Sequence, residues 1–136
     1  MEKSSYLFVD EEHQEFYLQN IKKCRYQDAY HRSLIYTLGI CRDARKFIKN
    51  IYEFKSGCIK PECLHEGWNT SGSVRVIRLA FNLYNNGTPT VFEYEESGKS
   101  EDALDECRRY SVSDIFCCEY APYFMQAIKI RYPEYF

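Results

Sequence analysis

Gly67-Trp68-Asn69-Thr70-Ser71-Gly72-Ser73 runs directly into Val74-Arg75-Val76-Ile77-Arg78-Leu79-Ala80-Phe81-Asn82-Leu83-Tyr84, and this passage decides the fold class. Val76, Ile77, Ala80, Phe81 and Tyr84 recur at the spacing that lines one face of an α-helix. Leu83 flanks that stripe, while Arg75, Arg78, Asn82 and Asn85 fall on the other side. The spacing predicts a helix from Ser73 to Tyr84, entered through Ser71 or Ser73 as N-cap and ended by Asn85-Asn86-Gly87.

The same period appears on both sides of this helix. Toward the N-terminus, Asp10 is expected to cap a helix of residues 11 to 24, with Phe16, Leu18, Ile21 and Cys24 apolar. A second helix is expected from Gln27 to Cys41, on a stripe of Tyr30, Leu34, Ile35 and Leu38. A third is expected from Asp43 to Phe54 and stopped by Ser56-Gly57. Residues 57 to 72 read as an irregular connector with one helical turn at Glu62-Cys63-Leu64.

Toward the C-terminus, Thr90-Val91-Phe92-Glu93-Tyr94 reads as a short extended segment. Residues 95 to 102 are strongly polar and read as a mobile loop or a helix start capped by Ser100. A short helix around Ala103 to Arg109 follows, and Ser111-Val112-Ser113-Asp114 reads as a capping box. Pro122 suits the first turn of a last helix to about Arg131, burying Phe124, Met125, Ile128 and Tyr132. Tyr135 and Phe136 are expected to dock on the body. The expected fold is one all-α domain over residues 1–136, with five to seven helices and at most one short extended segment.

Composition narrows the function classes. The chain has 136 residues, enough for one real core. Eighteen basic residues face 20 acidic ones, for a net charge of -2, and no long like-charge run occurs. Non-specific nucleic-acid binding through a basic face is therefore not expected. Thirteen Tyr and nine Phe are a heavy aromatic load, suited to a wet-edged core or a partner surface. Seven cysteines, an odd number, and an N-terminus without a signal-type segment point to a reduced, cytoplasmic protein with thiols packed as small hydrophobes. No apolar run approaches the length that spans a bilayer.

Few residues suggest chemistry. Cys58-x4-Cys63-x-His65 has ligand-type residues in a loop, yet its spacing matches no common zinc module and no second knuckle accompanies it. In the adjacent pair Cys117-Cys118 one thiol must turn outward. Neither a Walker A motif nor a dinucleotide glycine fingerprint is present, and no nucleophile elbow stands out. No catalytic residue, metal ligand or cofactor is assigned, and an enzyme is the less favoured class.

The candidate binding residues are Trp68, Asn69, Thr70, Ser71, Ser73, Arg75 and Arg78. A hydroxyl-rich loop at a helix start presents N–H groups and the positive end of the dipole to an anion. Trp68 offers a ring for stacking, and the arginines can pair with phosphate or with a partner's carboxylates. The plainer alternative is an ordinary helix cap, with Trp68 as a plug over the connector.

Several segments carry a resemblance. Tyr52-Glu53-Phe54 with Ile59-Lys60-Pro61, the 67–73 loop, Arg78-Leu79-Ala80-Phe81-Asn82-Leu83-Tyr84, Asp114-Ile115-Phe116 and Tyr123-Phe124-Met125-Gln126-Ala127-Ile128-Lys129-Ile130-Arg131-Tyr132-Pro133-Glu134-Tyr135 cover about half of the chain. They resemble a family of small bacterial proteins of unknown function, found mainly in Firmicutes and often beside phage or mobile-element genes. The resemblance transfers no active site. It implies a non-enzymatic accessory protein that binds a host protein, in the concrete form of inhibiting a defence system such as a CRISPR effector. The alternatives are a nucleotide- or phosphate-binding protein using the 67–73 loop, and a zinc-stabilised or cysteine-dependent module. A homodimer is compatible with the Tyr-rich composition.

Overall fold

A computed structural model of the chain describes residues 5–92, 94–95, 98–99 and 101–136. Among them are eight α-helices and two short hairpins, so the domain is predominantly helical. Helix α1 (Glu11–Ile21) starts at Asp10, whose carboxylate accepts from His13 N–H at 2.8 Å. Glu11 and Glu12 in its first turn suit the positive dipole end. Its buried stripe is His13, Tyr17, Asn20 and Ile21, and the expected stripe member Leu18 is exposed. The polar members His13 and Asn20 hide this stripe from an apolar count.

Helix α2 (Ala29–Leu38) is the central element, packed against α1, α5 and α8. Asp28, not Gln27, sets its start by accepting from His31 N–H. From Ser33 to Leu38 every side chain is buried, so the helix is covered on all faces rather than along one stripe. Ser33 and Thr37 fit because their hydroxyls donate to the Tyr30 and Ser33 carbonyls. Tyr30, expected in the core, lies at the surface under the Arg131 guanidinium, 3.7 Å from the ring centroid.

The expected helix over Asp43–Phe54 divides. Helix α3 (Arg42–Lys46) stops at Phe47, and α4 (Ile48–Ile51) is a single turn. Tyr52–Glu53 (β1) then pairs antiparallel with Cys58–Ile59 (β2). Gly57, at φ 74, closes the turn where a side chain would be strained. A 3-10 turn follows at Pro61–His65. The long helix α5 (Ser71–Asn85) carries the deciding passage and buries Val76, Ile77, Leu79, Ala80, Phe81 and Leu83. Asn86 ends it in the left-handed conformation, as Asn85-Asn86-Gly87 predicts.

Tyr94–Glu95 (β3) pairs with Gly98–Lys99 (β4), so the extended segment is a hairpin centred beyond Thr90–Phe92. Glu93 and Ser100, which figured in the expected strand and cap, lie outside the described residues. Helix α6 (Glu101–Arg108), the single turn α7 (Val112–Ile115, capped by Ser111) and α8 (Ala121–Arg131, Pro122 in its first turn) complete the domain. Met125 is turned outward because Phe124, Ala127 and Ile130 make the inner face of α8. Tyr135 and Phe136 are 76% and 67% exposed, so the aromatic C-terminus does not dock as expected.

Two polar clamps hold these elements together. Arg131 reaches from α8 to the Leu83 carbonyl at 2.8 Å and the Asn86 amide oxygen at 3.1 Å, placing a buried cation at the C-terminus of α5. Glu106 of α6 is buried, accepting from Thr90 Oγ1 at 2.9 Å and lying 3.0 Å from His65 and 3.4 Å from Arg78.

Candidate functional site

The 67–73 loop is built by contacts within itself. Thr70 and Ser73 form a reciprocal capping box, with Ser73 N–H donating to Thr70 Oγ1 and Thr70 N–H donating to Ser73 Oγ. Ser73 is buried and also donates to Asn69 Oδ1 at 2.6 Å. Asn69 in turn donates to the Cys63 carbonyl at 2.6 Å. Trp68 stacks on Phe47 at 4.4 Å and 18°, and its Nε1–H donates to Glu66. That bond and one from Asn50 hold the Glu66 carboxyl below the usual carboxylate range. Trp68, Asn69, Thr70 and Ser73 therefore anchor the loop, and their polar atoms are largely occupied.

Ser71, Arg75 and Arg78 stand differently. Arg75 donates through Nε to the Asp114 carbonyl at 2.8 Å and through Nη1 to the Ser71 carbonyl at 2.9 Å. Its guanidinium is thereby fixed as the shared wall of two surface recesses. One, of about 300 Å³, is lined by Ser71, Val74, Arg75, Arg78, Arg109 and Asp114. The other, of about 410 Å³, is lined by residues that include Thr70, Gly72, Arg75, Cys117 and Tyr120. Arg78 gives Nη2 to Glu106, while its Nε is buried with no hydrogen-bond partner among the described residues. Arg109 stands largely exposed at the rim, 3.8 Å from Asp114.

Arg75, Arg78 and Arg109 thus line one concave surface, with Asp114 as the carboxylate in its lining and Arg78 already paired with Glu106. Such a surface suits a carboxylate or phosphate, because planar N–H forks bind either group in pairs. Arg109 and Asp114 belong to it and carry no sequence signal as ligand contacts. They lie well beyond α5 in the chain, and only the packing of α7 against α5 brings them there.

The cysteine readings lose their geometry. Cys63 is fully buried, Cys58 is exposed, and His65 is turned to Glu106. Among the described residues no cluster of three or more His, Cys, Asp or Glu could hold a metal. Burial pushes the Cys24 and Cys63 thiols up to about 12 and raises Cys41, so these three are poor nucleophiles. Of the vicinal pair, Cys117 is exposed and Cys118 half-buried, donating to the Ile115 carbonyl. Among the described residues, no helix is long and apolar enough to cross a membrane.

Fold and recess together define a small, predominantly helical protein with an arginine-lined surface recess. The chain belongs to DUF6075, a family of unknown function, with the match covering residues 3–136. No curated protein and no solved structure matches it.

Proposed function

We propose that this is a non-enzymatic accessory protein that binds a host protein through the arginine-lined recess formed by α5, α7 and Arg109 just after α6. The supporting observation is that Arg75, Arg78 and Arg109 line one recess, with Arg75 locked by two backbone carbonyls. A pre-oriented arginine beside an aromatic side chain is a common centre of binding energy in protein interfaces. Here Tyr120 lines the adjoining recess that shares Arg75 as its wall. The occupant expected is an acidic side chain of the partner.

The resemblance to proteins near phage and mobile-element genes gives the concrete form: inhibition of a bacterial defence system, a CRISPR effector among them, in the cytoplasm. The test is a phage challenge of cells carrying such a system, with and without this protein. Wild-type protein should restore plaques, and Arg75→Glu with Arg109→Glu should not. Failure of the wild type across a panel of defence systems removes the anti-defence form. Full activity of the double variant removes the recess.

Arg78 is left out of this test because it is paired with buried Glu106, so a carboxylate at 78 would damage the fold. The alternative, a free phosphate or nucleotide in the same recess, rests on the same three arginines. Titration calorimetry with inorganic phosphate and nucleotides separates it, since a ligand of this recess would bind the isolated chain and be lost on Arg109→Glu.

A further inference from the structure

A second basic recess lies at the β1–β2 hairpin, separate from the arginine surface. It encloses about 430 Å³ and is lined by Lys49, Tyr52, Glu53, Phe54, Lys55 and Lys60. Its cations come from three places in the chain: α4, the hairpin turn and the segment after β2. No linear charge run announces them. The net charge of the lining is positive, three ammonium groups against the single carboxylate of Glu53.

The frame around it is built. Lys60 Nζ donates to the Lys49 carbonyl at 2.8 Å, which fixes one ammonium at the recess and leaves it further donors. Lys60 N–H donates to the Ile51 carbonyl, and Gly57 N–H closes the turn on the Glu53 carbonyl at 2.8 Å. Arg25 ties the Ser56 carbonyl, and Tyr84 donates to the Gly57 carbonyl. The apolar wall is the half-buried Phe54, backed edge to face at 5.1 Å by Tyr52, which belongs to the core. Lys23 adds a further cation 5.8 Å from the Phe54 ring.

Lysines converging on a concave site with an aromatic wall are suited to phosphate carried on a ring. The ammonium groups act as point charges for phosphate oxygens, and the aromatic side chains give the ring an apolar contact. The volume falls in the range of small-ligand sites, and the charge is gathered in one recess rather than spread along a strand-length groove. We infer that this recess binds a nucleoside polyphosphate, with its phosphates on Lys49, Lys55 and Lys60 and its base against the Phe54 wall.

The test is titration calorimetry of the full chain with ADP, adenosine, pyrophosphate and a single-stranded oligonucleotide. ADP should bind, and adenosine and pyrophosphate should each bind at least about tenfold more weakly. Lys49→Glu with Lys55→Glu, both at exposed positions, should weaken ADP by about tenfold or more while circular dichroism stays unchanged. Arg109→Glu should leave ADP binding intact, which separates this site from the arginine recess. Absence of ADP binding, equal binding of adenosine or pyrophosphate, or an unaffected lysine variant overturns the inference. So does ADP binding lost on Arg109→Glu. Tighter binding of the oligonucleotide than of ADP through the same lysines also overturns it, in favour of a nucleic-acid surface.

Discussion

His13 Nε2 donates to the Tyr36 carbonyl across 2.8 Å in the fully buried core. The other ring nitrogen, Nδ1, accepts from Val9 N–H at 3.0 Å, so the neutral imidazole satisfies both partners. Burial, with Arg45 nearby, lowers the His13 pKa to about 4 despite the Tyr36 carbonyl. The unfolded chain protonates near the ordinary histidine value of 6.5, and the folded one near 4. Between those values the unfolded state holds the extra proton, so stability is full above the upper value and falls as pH drops toward the lower. Urea unfolding should show this histidine costing about 2 kcal/mol at pH 5 relative to pH 7.5. His13→Gln should be less stable at pH 7.5 and should lose most of that pH dependence. An unchanged pH dependence in the variant contradicts the assignment.

Gly39 packs on the same histidine. A Cβ there would lie 2.7 Å from His13 Cδ2 and 2.8 Å from Phe16 Cδ1. His13 is pinned at both nitrogens and cannot move aside cheaply. Gly39→Ala should therefore destabilise by about 1–3 kcal/mol, although the helical backbone of Gly39, at φ -79 and ψ -8, would itself accept alanine. A Tm equal to wild type would show that the α1–α2 contact can open.

Glu106 depends on Arg78. The carboxylate side chain is 3% exposed and lies 3.4 Å from Arg78 Nη2. Arg78→Met leaves that charge, among the described residues, with His65 and Thr90 alone, and should cost about 3 kcal/mol in urea unfolding. Arg78→Met with Glu106→Leu should recover much of the loss, because no charge then stays buried. A double variant as unstable as the sum of both singles would mean the residues act independently.

Tyr17 is fully buried, and among the described residues its hydroxyl makes no well-formed hydrogen bond, with Tyr6 the side chain that acts on it. Its ring meets Tyr6 and Phe8 at 5.7 and 5.9 Å. Tyr17→Phe removes an unsatisfied oxygen and keeps the rings, so stability should hold or rise by up to about 1 kcal/mol. A clear loss would reveal a partner for the hydroxyl. Tyr36→Phe is the contrast, since its hydroxyl donates to the Leu7 carbonyl and its removal should destabilise.

The candidate surface was legible only in part. Arg75 and Arg78 are visible on the polar side of α5 because they are out of phase with its apolar stripe. Trp68 and Ser73 look like ligand contacts in the sequence and are anchors in the structure. Stacking on Phe47 and the reciprocal cap take up the groups a ligand would use. Arg109 and the lysines at 49, 55 and 60 have no periodicity to mark them.

The sequence by itself determined what depends on neighbours within a few residues. Asp10 and Ser111 as caps, Asn86 as the end of α5, Pro122 in the first turn of α8 and the mostly helical class all follow from local hydrogen bonding and the 3.6-residue period. Tertiary structure alone decided the rest. It buried α2 on every face, turned Tyr52 out of a helix to pair with Ile59, and left Phe136 in water. It also brought Arg109 beside Arg75 and Lys60 beside Lys49. Those outcomes depend on which remote surfaces meet, and burial and charge convergence are properties of the packed chain rather than of any segment within it.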